Sequence, residues 1–188
     1  MNTTRLARFA TIAALSAITL AGLTGCAGSA AEADGGSSLT LAQIKSPVQL
    51  LRNEVASRIP GNIVVDVVQP NDRSEPCDSV ETDPNGYNRT WKSSILILIN
   101  FHSKLDIEQV VENVVTSYEE QGWEASQGSS SKITRLTNPQ SFVTIDLSSV
   151  KPDKVAEIGG QVQLTTAGSC VTTEGRAAKS VTDLGPAI

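Results

Sequence analysis

Trp91-Lys92-Ser93-Ser94-Ile95-Leu96-Ile97-Leu98-Ile99-Asn100-Phe101-His102 decides the fold. Four of its residues, Ile95, Ile97, Ile99 and Phe101, fall on one side of an extended chain, and Leu96 and Leu98 fall on the other. β-branched and aromatic content at period two predicts a strand, and apolar character on both sides predicts a central strand covered on both faces. Working outward, Ser103 to Gln121 reads as a helix. Ile107, Val110, Val111, Val114, Val115 and Tyr118 make one apolar stripe, while Glu108, Glu112, Glu119 and Glu120 make a solvated one. Ser103 with Asp106 three residues on is a capping pattern, and Gly122 is a stop signal.

Upstream, Ser46-Pro47 with Gln49 predicts a second helix start, with Val48, Leu51 and Val55 at helical spacing and Pro60-Gly61 as its end. Asn62 to Gln69 is a β-branched strand, and Pro70 to Asn88 reads as a long polar loop. Downstream come short strands at Trp123 to Ser126, Lys132 to Asn138, Ser141 to Ser148 and Gln161 to Ala167. Lys151 to Ile158 has no clear pattern, and 171–188 has the small polar composition of a disordered tail. Strands joined by short turns favour antiparallel pairing. The expectation is therefore a two-layer α+β domain over 46–170, with a mainly antiparallel sheet covered on one face by two helices.

The first 25 residues read as a signal peptide. Arg5 and Arg8 form a basic start and Phe9 to Leu20 an uncharged apolar run, shorter than the roughly 20 residues a spanning helix needs. Leu23-Thr24-Gly25-Cys26 resembles the bacterial lipobox. That resemblance implies a diacylglyceryl thioether on Cys26, further acylation such as palmitate, and anchoring at the outer face of the cell membrane. Two acyl chains hold a protein stably where one holds it marginally. Residues 26–45 then serve as a tether, small and polar from Ala27 to Ser38. Cleavage before Cys26 removes two bases and no acid, leaving 13 basic against 20 acidic residues, a net of −7. Such a body is repelled by anionic headgroups and offers no basic patch for nucleic acid.

With Cys26 assigned to the anchor, Cys77 and Cys170 remain, and an even pair outside the cytoplasm reads as one disulfide. No Cys-x-x-Cys is present to support a redox role.

Candidate chemistry is sparse. Glu81, Asp83, Asn85 and Gly86 match the first half of a calcium loop, but the twelfth position is Lys92, and Asp-Pro-Asn-Gly is an ordinary turn sequence. Ser129-Ser130-Ser131-Lys132 and Ser148-Ser149-Val150-Lys151 satisfy Ser-x-x-Lys without the partner motifs of penicillin-binding enzymes. His102 is the single histidine, and no Gly-x-Ser-x-Gly elbow exists to present a serine to it. No cofactor and no metal site is expected. The acidic run Asp66, Asp72, Glu75, Asp78, Glu81 and Asp83 around Cys77 is the best candidate interaction surface, because loops pinned to a scaffold commonly carry binding. Trp91 and Trp123 lead apolar strands and are expected in the core.

The order of lipobox, tether, helix, Pro76-Cys77 loop, Trp91 strand, Gln121-Gly122-Trp123 helix end, meander and Gly168-Ser169-Cys170 resembles small cell-envelope lipoproteins of actinobacteria, a group mostly of unknown role. The resemblance implies an exported, lipid-anchored protein and carries over no catalytic residue. The expected function is a non-enzymatic interaction module of unknown partner, a protein or another envelope component. The alternatives are a carrier of lipid or another apolar molecule, using a cavity between helices and sheet, and a hydrolase.

Overall fold

The computed structural model describes residues 39–100, 106–151 and 158–184. Cys26, Phe101, His102 and Ser103 lie outside them, as do the proposed signal peptide and residues 27–38 of the proposed tether.

The first helix, α1 (Leu41–Ser57), starts five residues before the Ser46-Pro47 signal. Thr40 caps it in a true capping box: the Thr40 hydroxyl accepts the Gln43 N–H at 3.3 Å, and the Gln43 side chain accepts the Thr40 N–H at 2.8 Å. Pro47 is inside the helix. An interior proline costs roughly 3 kcal/mol. Extending the helix buries Leu41 and Ile44, worth about 1.5 to 3 kcal/mol each, and so offsets it. The tether expected over 26–45 is corrected accordingly, since 41–45 are helical.

A single 3₁₀ turn (Gly61–Ile63) leads into β1 (Val64–Pro76), which pairs antiparallel with β2 (Asn88–Asn100). The loop expected from Pro70 is thus strand as far as Pro76, and the connecting loop shrinks to 77–87. Pro70 is tolerated because β1 is an edge strand and its register slips between Val68 and Asn71. After β2 come α2 (Ile107–Glu119), β3 (Glu124–Gln127), β4 (Ile133–Thr137), β5 (Val143–Val150), β6 (Ile158–Gly168), β7 (Val171–Thr172) and α3 (Lys179–Thr182). Asp106 is the observed cap of α2 and accepts the Glu108 N–H. Gly122, at φ +84°, ends that helix while the Trp123 N–H reaches back to the Tyr118 carbonyl.

The seven strands of the described residues form one antiparallel sheet in the order β1-β2-β6-β5-β4-β3, with β7 paired to the start of β2. This is the expected two-layer α+β arrangement. Ile95, Ile97 and Ile99 of β2, with Leu164 and Val162 of β6, are buried beneath Val55 of α1 and Val110 and Val114 of α2. The expectation that β2 is covered on both faces is wrong. Leu96 and Leu98 are half-buried, and Val68, opposite Leu96, is 43% exposed, because both long helices lie on the isoleucine side.

The tail expected to be disordered is corrected for 171–184. Val171 and Val181 are buried with Trp91, Leu41, Ile44 and Val48 in a second cluster. The Lys45 ammonium donates to the Leu184 carbonyl and sits 5.1 Å from the Trp91 ring centre. Phe142 and Leu184 pack on the same cluster.

The edge of β1 exposes Val65, Val67 and Val68 at 57, 46 and 43%. Pairing two copies antiparallel about Asp66 would match Val64 with Val68 and Val65 with Val67, and would set carboxylate against carboxylate. A charge amid an apolar edge, two register shifts and a proline are the means by which edges resist strand addition. Asp66→Val is therefore expected to self-associate at lower concentration than wild type, read by light scattering after size exclusion. An unchanged mass at equal concentration would show that Asp66 is not the guard.

Candidate functional site

Three stretches meet at the β7 end of the sheet: the loop 77–87, the start of β2, and residues 170–176. Cys77 and Cys170 are disulfide-bonded, with Cα atoms 6.1 Å apart across 93 positions. Beside the bridge, β7 pairs Thr172 with Asn88 and Val171 with Arg89. The Cys77 N–H donates to the Asn88 carbonyl at 2.9 Å.

Asp83 organises the loop from within. Its two carboxylate oxygens accept the N–H groups of Tyr87 (2.9 Å) and Asn88 (2.8 Å). Gly86, at φ +64°, closes the turn by donating to the Asp83 carbonyl at 3.1 Å. The resemblance to a calcium loop is thus a turn in which the central carboxylate serves backbone amides. The Tyr87 and Asn88 amides hold the Asp83 carboxyl below the usual aspartate range. Because the folded value is depressed, this stabilisation is present above the ordinary aspartate pKa and is lost as pH falls through the folded one. Amide resonances of Tyr87 and Asn88 are expected to shift, and their exchange to quicken, on acidification to that range, and Asp83→Ala should do the same at neutral pH. Amides indifferent to both would contradict the assignment.

A second strap comes from the chain beyond Cys170. The Thr173 N–H (2.7 Å) and hydroxyl (2.9 Å) donate to the Tyr87 carbonyl. The Arg176 N–H donates to the Asn85 carbonyl, and its guanidinium to the Pro84 carbonyl, both at 3.1 Å. Nothing in the sequence near Tyr87 announces these partners. They are almost 90 residues distant, and the one readable signal was Cys170 a few residues before them.

The other candidates are dispersed. Asp66 lies on the β1 edge, Asp72 is buried against α1, and Glu75 is paired with Arg73 and with Lys92. The expected acidic surface therefore reduces to Asp78 and Glu81 on the loop. Both Ser-x-x-Lys stretches lie at the same end of β4 and β5, around a shallow depression of about 250 Å³ lined by Lys132, Ser148, Ser149, Glu108 and Glu112. Glu108, 3.1 Å from Lys151, raises that ammonium above the ordinary lysine range, which opposes the neutral form a base needs. No hydrogen bond joins Lys132 to a serine among the described residues, and it is exposed. On the open face of the sheet, Arg135 and Asp146 are joined by two 2.7 Å bonds, so their charges satisfy each other. Trp91 is 2% exposed, and Trp123 packs edge-on against Tyr118 at 5.3 Å, so both serve the core. No group of three metal-binding side chains occurs among the described residues, and none of their helices is long and apolar enough to cross a membrane.

No family model, no curated protein and no solved structure matches this chain.

Proposed function

We propose that the chain is a lipid-anchored, non-enzymatic interaction module on the outer face of the cell membrane, of the kind found among small actinobacterial envelope lipoproteins. The observation that carries this reading is Leu23-Thr24-Gly25-Cys26 directly after a basic start and an uncharged apolar run. The Cys77–Cys170 bond supports it, because such bonds persist in oxidising compartments. In this reading Cys26 carries the acyl chains, the small polar residues after it form the tether, and the domain beyond presents a surface to an envelope protein. Cells fed an alkyne analogue of palmitate are expected to label the wild-type chain and a Cys77→Ser/Cys170→Ser variant, and not Cys26→Ala. Equal labelling of Cys26→Ala would remove the anchor from the account.

One observation favours a second reading, a carrier of lipid or another apolar molecule. A groove of about 550 Å³, within the range of small-ligand pockets, is lined by Leu39, Leu41, Ala42 and Leu184 among others. It lies at the ends of α1 and α3, whereas a carrier of the expected design would hold its ligand between helices and sheet, where Val55, Val110, Val114, Ile97 and Leu164 are packed. A ligand mass surviving native mass spectrometry of the mature chain would promote the carrier reading, and a bare mass would retire it.

A further inference from the structure

We infer that the strapped loop 77–87 is the contact surface of this module, and that its partner is a protein offering an apolar pocket with a cationic rim to Tyr87 and Val80. The inference rests on the interaction-module reading above.

Two of the seven exposed large apolar side chains among the described residues lie on this loop, Val80 at 67% and Tyr87 at 47%. Exposure alone means little. What distinguishes Tyr87 is that its backbone is fixed on both sides while its ring is left outward. Its N–H is held by Asp83, its carbonyl takes two bonds from Thr173, and one flank of its ring lies against Gly175. Gly175 has φ +99°, and a Cβ there would sit 3.5 to 3.6 Å from the ring and 3.2 Å from the Asn85 carbonyl. The Tyr87 hydroxyl has no hydrogen-bond partner among the described residues. Freezing a loop costs backbone entropy. Here the disulfide, the Asp83 turn and the Thr173–Arg176 strap meet that cost in folding, so it need not be met in binding. Fixed aromatic anchors carry a disproportionate share of interface energy.

The charges choose the partner. Asp78, Glu81 and Glu174 are exposed around the loop; of the nearby cations, Arg176 donates to the Pro84 carbonyl, Lys179 lines the groove beside Glu174, and Arg89 points inward to Ser74, so acids outnumber exposed bases. A rim of Lys or Arg on the partner complements that balance and steers the encounter. The competing apolar surfaces are less apt. Leu50 stands as a single exposed large apolar side chain on α1, and the β1 valines surround Asp66.

The test is photo-crosslinking in the cells that make the protein, with p-benzoylphenylalanine in place of Tyr87, Val80, Leu50 or Val150 in the full chain. The expected result is one discrete protein adduct from positions 87 and 80, at least tenfold above positions 50 and 150. Its crosslinked peptide should neighbour Lys or Arg, and the adduct should fall at least tenfold in Asp78→Lys/Glu81→Lys, whose thermal melt serves as the folding check. The same adduct from Leu50 or Val150 alone would overturn the loop and leave the module reading standing. No protein adduct from any of the four would overturn both. A lipid adduct at Tyr87 would overturn the protein partner in favour of the membrane.

Discussion

Arg52→Met is expected to lower the free energy of unfolding by about 3 to 5 kcal/mol, the usual cost of leaving one member of a buried ion pair alone. Arg52 is 2% exposed and the Asp72 side chain is fully buried. The guanidinium donates to both Asp72 oxygens at 2.9 and 3.1 Å and to the Ser93 hydroxyl at 2.6 Å, and Gln49 donates to the same carboxylate at 2.6 Å. The cluster locks α1 to β1 and β2 at one register. With Arg52 removed, the Asp72 charge remains without water or a counter-ion, and neither methionine packing nor one amide bond compensates it. A change of that size is a large fraction of the 5 to 15 kcal/mol that holds an ordinary domain together. The double change Arg52→Met/Asp72→Leu should recover more than half of the loss, because an apolar pair of similar volume often replaces a buried ion pair without penalty. Chemical denaturation of the three proteins measures both. A single variant within 1 kcal/mol of wild type would mean that water reaches the pair.

Breaking the disulfide has the second large effect. Cys77→Ser/Cys170→Ser opens a loop of 93 positions, for which the chain-entropy model gives roughly 4 to 5 kcal/mol, an upper figure. For a domain of this size that is a fall in melting temperature of about 10 to 15 °C. The loss is expected to have a local part as well. The loop 77–87 and the 170–176 strand and strap hold each other, so hydrogen exchange should quicken first at Tyr87, Asn88 and Thr173, well before the β2–β6 centre. Uniform exchange throughout the domain would contradict that order.

Legibility in the sequence followed the range of the interactions. The centre of β2 and the stripe of α2 were readable because alternation and 3.6-residue periodicity are local properties of Ile95 to Ile99 and of Ile107 to Tyr118. The start of α1 is not legible locally, because Ser46, Pro47 and Gln49 form a good local cap. The real cap at Thr40 prevails only because Leu41 and Ile44 find Trp91 and Val171, which are far away in the chain. Asp72 to Glu75 looked like loop because its polarity is answered by β2 and α1, through Arg52, Ser93 and Lys92, rather than by water. The uncovered side of β2 was missed for the opposite reason: Leu96 and Leu98 are apolar, yet no helix lies on their side. Of the candidate site, the bridge and the Asp83 turn were readable from residue type and spacing. The strap from Thr173 and Arg176 was not, since it depends on the tail being brought back beside β2.

The most direct test of the account is the intact mass of the chain extracted from membranes of the cells that make it. A polypeptide beginning at Cys26 is expected, two hydrogens lighter for the Cys77–Cys170 bond and heavier by a diacylglyceryl group, with or without a further acyl chain. A polypeptide that retains Met1, or that begins elsewhere with Cys26 unmodified, or that carries free thiols at Cys77 and Cys170, would contradict it.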